Sequence, residues 1–238
     1  MKLIRIVLKI MAVGLLTNCY SAYSSEKDLY DFLWLDQDKR VYVLQNKVFK
    51  KKKSFFFQAG YLIGLSNEFQ DTKGFHFGAG YHFTEQLGIE VIYNSYSNSD
   101  NDATINLREI NEEVPFTRKF NSLMGVMVRW DPFYGKFNIF NNIIYFDWTF
   151  AAGLGKIETE SNANTVADPN SANAFTSESY SAGLVKTAFK IHVTERWSVD
   201  TQLLRTIYNA PGPKSTTGLQ EDSWRGNSDF ILSVGFSF

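Results

Sequence analysis

The stretch Gly74-Phe75-His76-Phe77-Gly78-Ala79-Gly80-Tyr81-His82-Phe83-Thr84 decides how this chain folds. Its odd positions carry Phe75, Phe77, Ala79, Tyr81 and Phe83, and its even positions carry glycine, histidine and threonine. A period of two sends successive side chains to opposite faces of an extended strand, so one face is greasy and the other small or polar. The alternation runs for about ten residues, the length of a tilted strand that crosses a bilayer.

Working outward, the same period recurs. Phe55 to Leu65 places Phe55, Phe57, Ala59, Tyr61, Ile63 and Leu65 on one face. Leu87 to Tyr96, Phe120 to Trp130, and Ile143 to Gly155 repeat it, with Leu87, Ile89, Val91 and Tyr93, then Met124, Val126, Val128 and Trp130, then Ile144, Phe146, Trp148 and Phe150 facing outward. Tyr180 to Val193 and Trp197 to Tyr208 alternate less cleanly, because Thr187, Thr201 and Arg205 fall on the greasy face. The last segment is clear again, with Phe230, Leu232, Val234, Phe236 and Phe238 on one face. The expectation is an all-β, eight-stranded antiparallel transmembrane barrel preceded by a short periplasmic segment. Odd residues face outward on the first three strands, and even residues on the fourth, fifth and eighth.

A soluble β-sandwich alternates too, but two features argue against it. The faces opposite the greasy ones carry repeated glycine together with Glu90, Arg129, Asp147, Lys190 and Asp200, which suits the narrow lumen of a small barrel. The connections also alternate in length. Thr84 to Gln86 and Thr194 to Arg196 are short, Asp131 to Asn142 is medium, and Ser97 to Lys119, Ile157 to Ser179 and Asn209 to Asn227 are long and polar. Short periplasmic turns opposite long extracellular loops are the pattern of outer-membrane barrels.

The N-terminus points to the same compartment. Lys2, Arg5 and Lys9 precede an apolar run from Ile10 to Leu16, with small residues at Ser21, Ala22, Ser24 and Ser25, as in a cleavable secretory signal. Residues 1–24 are read as that signal, 25–54 as a periplasmic segment and 55–238 as the barrel. The apolar run is well short of the roughly 20 residues a membrane helix needs, and Asn18 disfavours lipidation of Cys19. In the periplasmic segment, Leu29 to Leu35 is compatible with a turn or two of helix, and Lys50 to Lys53 with contacts to phospholipid headgroups. Phe238, ending an aromatic and aliphatic strand, is expected to act with Phe230, Leu232, Val234 and Phe236 as a signal for the barrel-assembly machinery.

Composition narrows the function. The chain has 24 basic and 25 acidic residues, and without Lys2, Arg5 and Lys9 the balance is 21 to 25, which offers no basic field for nucleic acid. Cys19 is the only cysteine, so an exported mature chain has no disulfide to staple it. Aromatic residues make up 16% of the chain, and the alternation spreads them singly along the strands.

One near-repeat is visible: Tyr81-His82-Phe83-Thr84-Glu85 is echoed by Ile191-His192-Val193-Thr194-Glu195, and is read as two hairpins under one geometric demand. With Val41-Tyr42-Val43, Gln45-Asn46-Lys47, Phe49, Asp131-Pro132, Tyr134-Gly135-Lys136 and Phe146-Asp147, the chain resembles the myxobacterial-type outer-membrane β-barrel domain family, over Trp34 to Phe238. The resemblance implies a small eight-stranded outer-membrane barrel of OmpA or OmpX type, and implies no reaction.

An eight-stranded lumen is only wide enough for side chains, which argues against a porin. The expected role is a non-enzymatic, envelope-stabilising or surface-interaction protein that works through its extracellular loops, with outer-membrane lipids around it. The rival class is a lipid A or phospholipid-modifying enzyme, which needs a nucleophile or base beside the outer leaflet, usually with histidine. His82 and His192 adjoin periplasmic turns and His76 points to the lumen. Their spacing is not that of ligands on one element, so neither a metal nor a cofactor is expected. Counting up each strand at about 3.3 Å per residue, Glu90, Asp147, Lys190 and Asp200 stand roughly 10 to 13 Å above the turns. Arg129 reaches up from below and Lys186 lies one layer higher. These six charges are expected to form a luminal ion-pair network, because unpaired charges in a narrow lumen are costly.

Overall fold

The computed structural model describes residues 48–67, 69–110, 114–139, 142–164, 166, 174–213 and 220–238. The expected signal segment, Cys19 and residues 25–47 of the expected periplasmic segment lie outside the described residues. Eight strands follow one another: β1 Phe55–Gly64, β2 Gln70–His82, β3 Leu87–Asp100, β4 Arg118–Ile139, β5 Asn142–Ser161, β6 Thr176–His192, β7 Trp197–Pro211 and β8 Asp222–Ser237. Each pairs antiparallel with the next and β8 pairs with β1, so the sheet closes on itself without an edge.

The register fixes the shape. Cross-strand partners lead from Phe55 through Tyr81, Ile89, Val128, Ala152, Val185, Arg205 and Ser228. The row then returns to Leu65, whose N–H donates to the Ser228 carbonyl at 2.8 Å. One circuit therefore climbs ten residues along β1. A shear of this size tilts the strands by about 40° and makes a barrel just wide enough for side chains.

The wall is two-faced as the alternation predicts. Phe55, Phe57, Tyr61 and Ile63 are exposed, whereas Phe56, Gln58 and Leu62 are buried. Odd residues face outward on β2 and β3, and even ones on β4 from Met124 to Trp130, on β5, and on β8 from Phe230 to Phe236. The outward aromatics crowd toward the periplasmic rim, where Trp197 meets Phe236 at 4.8 Å and Phe133 meets Trp148 at 5.9 Å. Such girdles are typical of a membrane interface.

Several connections differ from expectation. Asp131 to Asn142 is not a loop: β4 and β5 stay paired to Ile139 and Asn142, past a register shift between Trp130 and Phe133. The shift absorbs one residue at Asp131-Pro132, a bulge that re-aims Phe133 outward. On the other side β5 and β6 remain paired to Ser161 and Thr176, which shortens the expected loop from Ile157 to Ser179. The stretch from Ser97 to Lys119, expected as a long polar loop, contains helix α1, Asp102–Ile110. Asn101 caps it, accepting the N–H of Thr104 at 3.1 Å.

Candidate functional site: the sealed lumen

The inward side chains fill the barrel in two storeys. In the lower one, Lys51, Arg129, Lys186 and Lys190 face Glu90, Asp131, Asp147 and Asp200, all at 5% exposure or less. Four cations against four carboxylates leave this storey balanced, the condition under which charge tolerates a low-dielectric interior.

Of the six expected residues, the structure brings five into one cluster. Lys186 Nζ bonds Glu90 Oε1, and Arg129 Nη1 approaches Glu90 Oε2 to 3.8 Å. Lys190 Nζ lies 3.9 Å from Asp200 Oδ1, and Ser198 Oγ donates to Asp200 Oδ2 at 3.0 Å. The Phe56 ring packs between the cations, 4.9 Å from Arg129 Cζ and 5.4 Å from Lys190 Nζ. Asp147 stands apart. Although it is the cross-strand partner of Lys190, its ion-pair partner is Lys51 at 2.9 Å, and His192 hydrogen-bonds it at 2.8 Å.

Lys51 is the residue that sequence reasoning misplaced. It does not reach for headgroups; its side chain enters the periplasmic mouth and is only 7% exposed. There Nζ is held between two carboxylates, 2.9 Å from Asp131 Oδ2 and 2.9 Å from Asp147 Oδ1. Each carboxylate is backed by a histidine, His82 Nε2 at 3.2 Å from Asp131 and His192 Nε2 at 2.8 Å from Asp147. The two histidines come from the two halves of the near-repeat. In both hairpins the threonine hydroxyl accepts the N–H three residues on, Leu87 to Thr84 at 2.9 Å and Trp197 to Thr194 at 3.1 Å. The repeat thus sets hairpin geometry, as expected, and also delivers a matched pair of histidines to one lysine.

The backbone around Lys51 is tied down as well. The Glu85 carboxylate accepts the N–H groups of Lys51 at 3.2 Å and Lys52 at 3.1 Å. Phe49 stacks on His192 at 4.5 Å and meets Tyr145 edge-on at 5.3 Å. Lys53 turns the chain into β1 with φ of 61°, and its N–H donates to the His82 carbonyl at 2.9 Å. A left-handed lysine carries strain that its surroundings must over-determine.

Asp131 joins the two groups: it accepts Arg129 Nε at 3.0 Å and Thr149 Oγ1 at 2.6 Å. Two residues beyond Arg129, it had the right parity to be found. Higher up, His76 bonds Asn94 at 2.7 Å and Gln202 donates to Ser233 at 2.7 Å.

The upper storey is mainly apolar, with buried Asp229 accepting the Tyr96 hydroxyl at 2.7 Å at its side. Leu62, Ile92, Leu123, Met127, Ile157, Leu184, Leu204 and Ile231 are each no more than 1% exposed and pack into one cluster. Leu184 reaches across β5 into space left by two glycines. A Cβ on Gly125 would stand 2.3 Å from Leu184 Cδ1, and one on Gly155 3.0 Å from it. Above this plug Arg118 lies between the rings of Phe116 at 5.6 Å and Tyr180 at 5.4 Å, and donates to Glu178 at 2.9 Å and the Pro211 carbonyl at 3.0 Å. The expected assembly face of β8 lies outside the lumen: Leu232, Val234 and Phe238 are exposed, and Phe238 meets Phe236 at 4.8 Å.

Among solved structures, the chain is similar to the N-terminal β-barrel domain of OprF from Pseudomonas aeruginosa, with 15% identity, 79% of this chain and 98% of that one covered, and a TM-score of 0.48. Neisserial surface protein A gives 14%, 78%, 98% and 0.44 for the same measures. Outer membrane protein W of E. coli gives 15%, 79%, 99% and 0.41. No curated protein matches the chain. The model of the outer membrane protein beta-barrel domain matches residues 45–238. That match is to the general domain, without the myxobacterial qualifier, and it leaves Val41-Tyr42-Val43 outside. With most of the chain inside the match and a closed, greasy-walled barrel of eight strands, this protein is an outer-membrane protein and belongs to the outer membrane protein β-barrel domain family.

Proposed function

We propose that this protein is a non-enzymatic outer-membrane anchor, sealed along its whole lumen, that stabilises the envelope or meets surface partners through its extracellular hairpins. The observation that carries the reading is the double closure of the lumen. Lys51 occupies the periplasmic mouth, and the apolar cluster fills the barrel above it. An interior packed with side chains leaves no hydrated path for a solute.

The extracellular side supports a role in contact. β5 and β6 stay paired to Ser161 and Thr176, and β7 and β8 to Pro211 and Asp222. These paired strands run beyond the apolar band of the wall. Each histidine is already committed inside the barrel, His76 to Asn94, His82 to Asp131 and His192 to Asp147, which speaks against a base at the outer leaflet. During biogenesis the outward face of β8, from Phe230 to Phe238, is the surface we assign to the barrel-assembly machinery.

Purified protein in planar bilayers is expected to show no stable conductance, and a steady open channel would overturn the sealed-anchor reading. Phospholipid and lipid A should leave its incubation mixtures unaltered in acyl content. Turnover of either would restore the enzyme class.

A further inference from the structure

The outer wall carries charge where grease is the rule. Between the periplasmic rim and the upper edge of the apolar band, three cations face outward among the described residues: Lys73 on β2, Lys156 on β5 and Arg205 on β7. Counting along the register at about 3.3 Å per residue and a tilt near 40°, all three stand roughly 20 Å above the rim. That is the height of the outer-leaflet headgroups in a band about 25 Å tall.

Arg205 differs from a side chain that merely snorkels to water. Its guanidinium lies flat against the strand wall over Gly226, where a Cβ would come within 2.1 Å of Nη2. Nη1 donates to Ser228 Oγ at 2.7 Å. Exposed apolar residues flank it, with Leu203 below at 48% exposure and Ile207 above at 40%. A cation pinned at a lipid-facing wall between apolar neighbours loses hydration that only an anion can replace. Among the described residues no carboxylate bonds it. Lys156, by contrast, has Glu158 at 4.0 Å, and Asp71 and Glu158 stand one outward position higher than the cations on their strands.

The surface between Arg205 and Lys73 is continuous. Ser228 on β8 pairs with Arg205, and Ile63 on β1 is the partner of both Phe230 and Lys73. Two cations thus flank an apolar strip formed by Ile63, Leu65 and Phe230. Acyl chains match the strip, and a phosphate above them matches the cations.

We propose that Arg205, Ser228 and Lys73 form a binding site for the phosphate group of a phosphorylated glycolipid of the outer leaflet. The site rests on the anchor reading above, but its experiment reads lipid retention, whereas that reading falls on conductance.

The test is native mass spectrometry of the full protein, released from nanodiscs that contain either a phosphorylated lipid A or its dephosphorylated form. The wild type should retain the phosphorylated lipid and lose the other. Arg205→Gln and Lys73→Gln should each weaken retention by about tenfold, the loss of one charge-assisted hydrogen bond. Lys156→Gln, on the far wall, should retain it fully. Heat-modifiable gel mobility identifies folded barrel in every sample, so loss of fold is not scored as loss of binding. Equal retention of both lipids, or full retention by Arg205→Gln, would overturn the site. So would inorganic phosphate alone displacing the lipid at equal concentration, because it would mean that the acyl strip contributes nothing.

Discussion

Arg129 is the residue on which the lower storey turns. It is fully buried and touches Asp131, Thr149 and Glu90, so removing its charge leaves three cations against four buried carboxylates. Arg129→Met is expected to destabilise the barrel by on the order of 3 kcal/mol, read as a lower urea midpoint for unfolding from lipid vesicles. An unchanged midpoint would mean that water, and not the guanidinium, satisfies those carboxylates. Lys51→Met should cost a comparable amount, and Asp147→Asn in the same chain should return part of it, since the unpaired charge is then gone. Parity made the six expected charges legible, because inward and outward positions alternate through the segments that carry them. Lys51 was not legible. It lies before the first strand, where no alternation assigns a face, and its two carboxylate partners come from β4 and β5, far along the chain. The histidines were visible as a repeat, but a repeat does not say what its two copies converge on.

Among the elements, β4 and β5 carry the largest departures. Their periplasmic extension was hidden by the bulge at Asp131-Pro132, which breaks the period of two and imitates a turn. The extension matters because Tyr145 forms one wall for Phe49. Phe49→Ala should therefore free the strap around Lys51, and limited proteolysis from the periplasmic side should cut between residues 48 and 53 at least several times faster than in the wild type. Equal rates would show that Glu85 and the Lys51 ion pairs hold the strap without the ring. In the upper storey, Gly125→Val would drive a branched side chain into Leu184, and overpacking of this kind costs about 1 to 3 kcal/mol. The combination Gly125→Val with Leu184→Ala should recover most of that loss in the same urea measurement. The apolar plug had a faint signature in the sequence. Where Leu62 meets Ile63, Val91 meets Ile92, Met127 meets Val128 and Ile231 meets Leu232, both faces are greasy, so alternation weakens where the lumen turns dry. The strand count and facing were readable because membrane and lumen differ in polarity. The storeys were not, because a single period cannot report height.

At the scale of the whole molecule, the closure of β8 on β1 bears on how the barrel enters the bilayer. The seam joins residues at opposite ends of the strand order, Phe57 with Phe236 and Ile63 with Phe230, so the longest-range contacts complete the sheet last. Until they form, the inner faces of β3 to β7 display Glu90, Arg129, Asp147, Lys186, Lys190 and Asp200 to whatever lies beside them. In hydrocarbon each charge costs about 2.5 to 3.5 kcal/mol on insertion scales, and every unpaired backbone group at an open edge adds to that. Strand-by-strand threading would meet these costs together, several times over. Crossing the membrane and shutting the seam are therefore expected to be one kinetic event, with the half-built sheet held at the interface beforehand. Arg129→Met, which removes one such charge, should lower the barrier to spontaneous insertion into thin vesicles even as it weakens the finished barrel. Time-resolved tryptophan fluorescence would register faster entry and a less stable product in the same variant.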